Sequence, residues 1–392
     1  MSRNSNGSGN IRKKKVTRNG KTYEYWEGRI TTGYDPATGK QIQRSITGST
    51  QKEVSQKMRA EQTKLDTKTY IAPTKMFTGD WLDVWLEEYV KPSVKTLTYS
   101  TYKDNVTNHI KPRFNKVRLS DLDAQSIQVF CNDLTRINHL APKTVKNIIG
   151  TFHKSLHQAV ALKYIPFNPI DSVKTPRTTR KELRPFTEDE IKLFLVKIEG
   201  EELCDLLRVA LFTGMREGEV CGLPWDAIDF ENGTITVKQQ LQLSRETKKY
   251  FIASTKNDKW RIIPAAPYVM DILKHRKQIQ DSDIKKSFGM WNNPWNLVFT
   301  YANGSHIPLN TARGTFKRIA KSIGAGEVRF HDMRHTYAVL SLQEGDDVKT
   351  VQSNLGHATA SFTLDVYGHV SEKMRKESSD RMQDLINKLK PT

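Results

Sequence analysis

The sequence has little cysteine, no long apolar segment and fewer acidic than basic residues. Its three cysteines, Cys131, Cys204 and Cys221, show no Cys-x-x-Cys spacing. That scatter argues against a zinc site and favours a reducing cytoplasm, with the thiols as packing residues. No apolar run reaches the roughly 18 residues that a membrane span needs, and no signal peptide is expected at the start. The sequence therefore predicts a globular protein of the cytoplasm.

The shortage of acidic residues makes the chain strongly basic. Among 392 residues, 62 are Lys or Arg and 43 are Asp or Glu, for a formal net charge of +19. This balance favours an anionic partner, nucleic acid above all, with an anionic membrane surface as the alternative. Residues 1–75 alone hold 16 Lys and Arg against 6 Asp and Glu. That asymmetry predicts a separate binding module at the start of the chain.

The pattern of this first module is that of a small sheet backed by one helix. Residues 21–32 and 40–46 predict two strands joined by a turn, because β-branched and aromatic residues are frequent in the first and turn residues lie between them. Thr50 and Glu53 form a capping-box pattern that predicts a helix over 51–66. A sheet with basic strands can lie in a DNA groove. A basic hairpin module that binds protein or RNA is the alternative.

The middle of the chain predicts a helical domain. Trp81, Leu82 and Trp85 recur at helical spacing, and this aromatic stripe is interpreted as core rather than as a surface for stacking bases. Residues 171–185 contain two prolines and no apolar period, which predicts an extended linker. The further helices predicted in this domain cover residues 99–110, 122–134 and 142–162.

The last part of the chain predicts a mainly helical domain with a small β region. A second capping box at Thr187 and Glu190 opens it. Asn257-Asp258 favours a tight turn between two strands, so Lys256 is expected at the tip of a hairpin. The predicted strands cover 233–240, 250–254 and 260–263, and the predicted helices cover 203–212, 267–280, 311–323, 329–343, 348–355 and 371–390.

Two pairs of residues in this domain are suited to phosphodiester chemistry. Arg216 and Glu219 open a helix three residues apart, so Glu219 either orients Arg216 toward a phosphate or forms a simple ion pair. His331 and Arg334 have the same spacing and are expected on one helix face. Arg presents a planar fork to two phosphate oxygens, and His moves a proton near neutral pH.

Two residues farther along complete a possible site. His357 follows Leu355-Gly356, a sequence typical of a helix end, and Tyr367 lies ten residues later. A tyrosine can attack phosphorus and form a covalent ester, which divides one hard step into two. Tyr337, one turn after Arg334, is the rival nucleophile. Such a set needs no metal.

In this order, Gly-x-Arg216-x-x-Glu219, His331-x-x-Arg334, Leu355-Gly-His357 and Tyr367 resemble the tyrosine recombinase family, in particular integrases of temperate phages and conjugative transposons. The resemblance covers nearly the whole chain. It implies an α+β multidomain fold without a cofactor. The implied domains are an arm-type DNA-binding domain (1–75), a helical, SAM-like core-binding domain (76–170), a linker (171–185) and a mainly helical catalytic domain with a small antiparallel sheet and a C-terminal tail (186–392).

The resemblance also implies a role for each site residue and a set of partners. Tyr367 is the nucleophile, which becomes a 3′ phosphotyrosine. Lys256 is the general acid, with Lys259 as the alternative lysine, and His331 is a second group that can protonate the leaving 5′ oxygen. Arg216 and Arg334 clamp the phosphate, and His331 and His357 assist. The implied partners are double-stranded attachment sites, a homotetramer on DNA, an excisionase and a host DNA-bending protein, in a bacterial nucleoid and away from membranes.

Basic residues expected to contact DNA lie in the first module, in the helical domain and in the linker. They are Arg12, Lys13, Lys14, Lys15, Arg29, Lys40, Arg44, Lys103, Lys143, Lys146, Arg177 and Arg180.

Two other functions share parts of this pattern. A type IB topoisomerase uses the same Tyr and Arg chemistry, and a DNA-binding regulator could keep the fold without catalysis. The tail after Tyr367 carries an apolar stripe that either joins protomers or folds back on its own domain. The stripe comprises Met374, Met382, Leu385, Ile386 and Leu389.

Overall fold

The chain folds into two compact units, Met1–Thr179 and Arg180–Thr392, in a computed structural model. The boundary between the units falls within the predicted linker. Both units combine helices with small antiparallel sheets, as the sequence predicted. The structure describes residues 10–18, 21–34, 38–67, 74–179, 184–255, 258–356, 382–383 and 386–387.

The first unit begins with a three-stranded antiparallel sheet. Strands β1 (Ile11–Arg18), β2 (Lys21–Tyr34) and β3 (Gln41–Gly48) pair in the order β1-β2-β3, and helix α1 (Gln51–Asp66) follows. The Oγ1 atom of Thr50 accepts a hydrogen bond from the backbone N–H of Glu53 at 3.1 Å, so α1 begins where the capping box placed it. Strand β1 was not predicted, because lysine-rich segments have weak strand propensity and pairing with β2 supplies the order.

Helix α1 covers one face of this sheet. Val54 and Met58 of α1 pack with Ile30 and Ile46 of the strands in a small buried core. Successive side chains of a strand point to opposite faces. Glu27 of β2 therefore faces away from α1, as does its register partner on β1.

A helical bundle with its own core makes up the rest of the first unit. Trp81 and Trp85 are buried, and the Trp81 indole N–H donates to the carbonyl of Ser155 at 3.2 Å, so the aromatic stripe is core, as predicted. The helices are α2 (Thr78–Val84), which continues as a π-helix (Trp85–Val90), α3 (Thr96–Asn105), which continues as a π-helix (Val106–Ile110) into α4 (Lys111–Phe114), α5 (Ala124–Arg136) and α6 (Pro142–Ala161).

The second unit contains seven helices in the described ranges: six contribute to one large core, and the seventh packs against the sixth in a smaller core. The predicted capping box is present, since Thr187 and Glu190 exchange hydrogen bonds at the start of α7. None of the helices in the described part of the chain combines the length and apolarity of a membrane span. The helices are α7 (Glu188–Lys197), α8 (Cys204–Thr213), α9 (Glu217–Cys221), α10 (Pro267–Lys286), α11 (Leu309–Ser322), α12 (Phe330–Gln343) and α13 (Val348–Leu355).

The β region differs from the prediction in its connections. Its strands are β4 (Ile228–Asp229), β5 (Thr234–Val237), β6 (Gln239–Leu243), β7 (Tyr250–Ser254) and β8 (Arg261–Pro264). Strand β6 pairs with β7, and β5 pairs with β8. The hairpin turn is therefore at residues 244–249. Strands β5 and β6 form one arm of this hairpin, and β7 and β8 form the other. The predicted hairpin tip at 255–259 is wrong, because this segment lies between β7 and β8 within one arm. The backbone N–H of Asp258 donates to the carbonyl of Thr255 at 3.1 Å.

Candidate active site

The first site residue, Arg216, lies at a sharp junction between two helices. Helix α8 ends at Gly214, whose φ of 62° is left-handed, and Arg216 caps the N-terminus of α9. Glu219 accepts hydrogen bonds from the Arg216 backbone N–H at 2.9 Å and from its Nη1 atom at 2.7 Å. The predicted pair is thus present, and it fixes both the backbone and the guanidinium of Arg216.

Glu219 is almost fully buried, with 1% of its surface exposed. Burial raises the pKa of Glu219, but hydrogen bonds and charge from Arg261, together with the charge of Arg216, outweigh burial and lower this pKa to about 2. The carboxylate is therefore ionised at neutral pH and serves as an anchor for cationic side chains.

Arg261, at the start of β8, is a partner of this carboxylate that the sequence analysis did not select. Its Nη1 and Nη2 atoms donate to the two Glu219 oxygens at 3.0 and 2.6 Å, and its Nε atom donates to the carbonyl of Asn354 at 2.8 Å. Only 9% of the Arg261 side chain is exposed. The sequence signal that could have selected it is Arg261-x-x-Pro264, directly after the segment that contains Lys256 and Lys259.

Arg334 is buried within α12, with 1% of its surface exposed. Its Nη1 atom donates to the carbonyl of Gly214 at 2.8 Å, and its Nη2 atom donates to the carbonyl of Leu355. Burial, and next the charge of Arg216, lower the pKa of Arg334, while Glu219 opposes that shift. Arg334 therefore joins the turn before Arg216 to the end of α13.

Arg216, Arg261 and Arg334, together with Glu219, form what we call the guanidinium cluster. Arg216 and Arg261 bond to the one carboxylate there, whose charge also acts on Arg334, and repulsion from the other two arginines contributes to the lowered pKa of Arg334. The cluster carries an excess of positive charge and presents planar donor groups. Such a site is suited to a phosphate, which a fork of N–H groups binds through two oxygens.

His331 lies one turn before Arg334 and is exposed at the surface, so the two residues differ in burial although they share a helix. Desolvation by the surrounding protein, and next the charge of Arg334, lower the pKa of His331. Its ring contacts that of His335 with centroids 5.1 Å apart, and burial, followed by the charge of His331, lowers the pKa of His335 to about 4. Both shifts favour the neutral form of the imidazole.

Tyr337, the rival nucleophile, packs beneath the turn that precedes Arg216. A Cβ atom added to Gly214 would lie 2.7 Å from Cδ1 of Tyr337 and 2.6 Å from Cδ2 of Leu355, so the ring is pressed against the glycine backbone. The Tyr337 hydroxyl lies 3.5 Å from the side-chain nitrogen of Asn354. These contacts give Tyr337 a packing role at this junction.

Four predicted site or DNA-binding residues, Lys256, His357, Tyr367 and Arg180, lie outside the described residues. The alternative lysine, Lys259, is described and exposed. Helix α13 ends at Gly356, with a left-handed φ of 64°, immediately before His357. In the described ranges, no group of three His, Cys, Asp or Glu residues is placed to hold a metal ion.

The predicted DNA-binding residues of the sheet divide between its two faces. On the face opposite α1, Arg12, Lys14 and Arg29 surround Glu27, which is 5% exposed and accepts from Arg12 at 2.9 Å. The other three residues pair with acids on the helix side. Lys13 and Lys15 contact Glu24, and Arg44 contacts Glu61. The remaining described members are exposed, namely Lys40, Lys103, Lys143, Lys146 and Arg177.

Comparisons with known sequences agree with the resemblance. Residues 185–374 match the profile of the phage integrase family, and residues 78–135 match the profile of its N-terminal SAM-like domain. A "Tyrosine recombinase XerC-like" protein of Caldanaerobacter subterraneus is 29% identical over 96% of this chain and 99% of the relative. The ICEBs1 integrase of Bacillus subtilis is 27% identical over 91% of this chain and 96% of the relative.

Solved structures share the fold. A fragment of the Tn1549 transposon integrase in complex with transposon right end DNA has a TM-score of 0.65 and 21% identity, covering 79% of this chain and 100% of that one. A lambda integrase tetramer bound to a Holliday junction has a TM-score of 0.55 and 18% identity, covering 86% of this chain and 92% of that one.

Proposed function

Because this chain belongs to the phage integrase family of tyrosine recombinases, we propose that it is the site-specific recombinase of a mobile genetic element, with Tyr367 as nucleophile. It cleaves and rejoins double-stranded DNA at attachment sites and thereby integrates and excises the element. The observation that supports the assignment of the site is the guanidinium cluster. Its excess positive charge fits one phosphodiester in the DNA backbone.

In the proposed reaction, the Tyr367 oxygen attacks phosphorus, a new P–O bond forms, and the bond from phosphorus to the 5′ oxygen breaks. Arg216 and Arg334 donate to the non-bridging oxygens and stabilise the charge that develops on them. The leaving 5′ oxygen takes a proton from Lys256. The 3′ phosphotyrosine keeps the energy of the phosphodiester, so a 5′ hydroxyl from another strand reverses the reaction without ATP.

The lowered pKa of His331 refines its proposed part in this reaction. A neutral imidazole at pH 7 accepts a proton or a hydrogen bond better than it donates one. We therefore propose that His331 accepts the phenol proton of Tyr367 and that Lys256 is the general acid for the leaving oxygen. His357, directly after the end of α13, assists at the phosphate. The phenol needs such help, because its ordinary pKa is about 10.

We assign the parts of the chain as follows. Residues 1–75 bind arm-type DNA sites, 76–170 bind the core site, 171–185 link the two lobes along the duplex, and 186–392 carry out catalysis. The protein acts in the bacterial cytoplasm as a homotetramer on DNA, with an excisionase and a host DNA-bending protein as further partners. These assignments follow from the family and from the distribution of basic residues.

The test of the proposed function is covalent capture followed by sequencing of the product junctions. The protein is expressed beside its native flanking DNA, and joined ends that map to one defined site support recombination. A nicked duplex spanning the mapped junction should then trap a protein–DNA adduct. Relaxation of a plasmid that lacks this site would favour a topoisomerase, and DNA binding without any adduct would favour a regulator.

The face of the sheet opposite α1 is expected to supply the contacts to arm-type sites. Replacing Arg12, Lys14 and Arg29 together by Gln should weaken arm-site binding. The slope of the logarithm of the binding constant against the logarithm of salt concentration should become less negative by up to about 2.7, at roughly 0.9 per lost phosphate contact. Binding as a function of salt concentration measures this slope. Core-site cleavage should remain, as it should in a fragment that begins near Lys75.

A matched variant controls for charge alone. Replacing Lys13, Lys15 and Arg44 by Gln removes the same charge from the side of the sheet that α1 covers. This variant should keep most of the arm-site affinity. Equal losses in the two triple variants, or unchanged footprints in the fragment, would contradict the assignment.

The tail after Tyr367 is expected to join protomers. Two members of its apolar stripe, Met382 and Ile386, are 57% and 41% exposed, whereas Met374, Leu385 and Leu389 lie outside the described residues. Truncation after Val370, or Met382→Gln with Ile386→Gln, should leave binding of one DNA site intact but prevent the synaptic complex. Gel mobility and analytical ultracentrifugation with DNA distinguish the two states.

The neighbouring Gln383 offers a control in the same segment. Gln383→Ala removes an exposed polar side chain that bonds to Asn387 but leaves the apolar stripe intact. Its synaptic complex should form normally. If the truncated chain unfolds outright, or if it still assembles, the tail does not connect protomers.

A further inference from the structure

We propose that Arg261 is a positioning residue that joins the Arg216 side of the guanidinium cluster to the end of α13. Through Glu219 it sets the direction of the Arg216 guanidinium, and through Asn354 it fixes the point from which the chain continues to His357. This inference rests on the proposed recombinase function. It adds a role for a residue that does not itself contact the phosphate.

The first support is the way in which Glu219 is held. Each Glu219 oxygen accepts from both arginines: Oε1 from Nη1 of Arg216 and of Arg261, and Oε2 from the Arg216 backbone N–H and Nη2 of Arg261. A bidentate pair of this kind prevents the carboxylate from rotating. The Arg216 side chain is 26% exposed and forms an ion pair with Glu219. The fixed carboxylate therefore sets the direction of the Arg216 guanidinium.

The second support is the contact of Arg261 with α13. The last carbonyls of a helix have no partner within the helix, and a cation near them is favourable. Arg261 donates a hydrogen bond to the carbonyl of Asn354, and Arg334 donates one to the next carbonyl, that of Leu355. Two arginines of the cluster therefore bind the last turn of α13.

The third support is steric. Gly356 ends α13 in the left-handed region, and a Cβ atom built there would lie 2.8 Å from Cδ of Arg261. The aliphatic stem of Arg261 thus lies against the backbone at the residue before His357. A displacement of this turn would move Arg261, and the bidentate bond would transmit the movement to Glu219 and Arg216.

The experiment compares cleavage of the mapped attachment-site duplex by wild-type protein and by Arg261→Lys. Lysine keeps the charge but loses the bidentate geometry and the Nε donor. We expect unchanged affinity for DNA and a single-turnover cleavage rate about 10-fold to 100-fold lower, by analogy with the loss of a residue that orients a metal ligand in a metalloenzyme. Arg276→Lys is the control, because Arg276 also binds backbone carbonyls in the same unit but lies outside the cluster.

Two readouts separate positioning from a loss of stability. The double variant Arg216→Lys with Arg261→Lys should cleave no more slowly than Arg216→Lys alone, because both act on one interaction. A duplex with a methylphosphonate at the scissile position removes the charge on one non-bridging oxygen. On that substrate the ratio of wild-type to Arg261→Lys rates should shrink.

A second variant keeps the inference testable if Arg261→Lys does not fold. Gly356→Ala would push on the Arg261 stem without changing any charge and should produce the same methylphosphonate signature. Wild-type rates for Arg261→Lys, or a defect that persists on methylphosphonate and adds in full to that of Arg216→Lys, would overturn the inference. Absence of an adduct with wild-type protein would instead refute the proposed function.

Discussion

Tyr367→Phe is expected to abolish covalent capture of DNA while DNA binding survives. The substitution removes only the phenolic oxygen, which is the atom that attacks phosphorus in the proposed reaction. No adduct should appear on a denaturing gel with a nicked attachment-site duplex, and no recombinant junction should form. Mobility-shift affinity should stay at the wild-type value, because the basic surfaces are unchanged.

Tyr337→Phe is the matched control. Its ring contacts would persist against Gly214 and Leu355, and the variant loses only a hydroxyl 3.5 Å from Asn354. Adduct formation by this variant should be close to normal. Should Tyr367→Phe still capture DNA while Tyr337→Phe does not, the nucleophile is Tyr337 and the assignment of Tyr367 is wrong.

The second large effect is expected at the arginines that contact the phosphate. Arg216→Lys and Arg334→Lys keep a positive charge but lose the planar fork. By analogy with the loss of one donor to a developing oxyanion, cleavage should fall by about 10²-fold or more. The affinity for DNA should change much less, because these donors act mainly in the transition state. Single-turnover cleavage and equilibrium binding measure the two quantities separately.

The two variants should differ in stability. Arg216 is partly exposed and interacts with Glu219, so Arg216→Lys should melt near the wild-type temperature. Arg334 is buried and donates to the carbonyls of Gly214 and Leu355, and Lys has no fork to reach both. A buried acceptor left unpaired costs about 1–3 kcal/mol. Arg313→Lys, at an exposed ion pair with Glu217, is the control for both. Near-normal cleavage by Arg216→Lys would contradict the assignment.

Local signals in the sequence predicted much of the fold. The capping boxes at Thr50 and Thr187 placed the starts of α1 and α7, and the spacing of Arg216 and Glu219 predicted their ion pair. All of these features depend on residues within one helical turn. The family resemblance, which depends on ordered short motifs, gave the fold class and the enzyme class.

Features that depend on distant partners could not be predicted in this way. Arg261 bonds to Glu219, which is 42 residues away, and Arg334 bonds to Gly214, which is 120 residues away. Nothing in the local sequence indicates that Arg334 is buried or that Arg261 bonds to Glu219. The β region was connected wrongly for the same reason, because the pairing of β5 with β8 is set by register across an intervening hairpin.

The long sequence separations within the guanidinium cluster also matter during synthesis. Arg216 and Glu219 emerge from the ribosome long before Arg334. The bond from Arg261 to Asn354 spans 93 residues. Domains fold as their residues emerge, and contacts between distant residues form late. A chain that stops before residue 334 can form the Arg216–Glu219 pair but lacks the buried arginine that closes the cluster. Chains that end before residue 334 therefore lack an assembled guanidinium cluster.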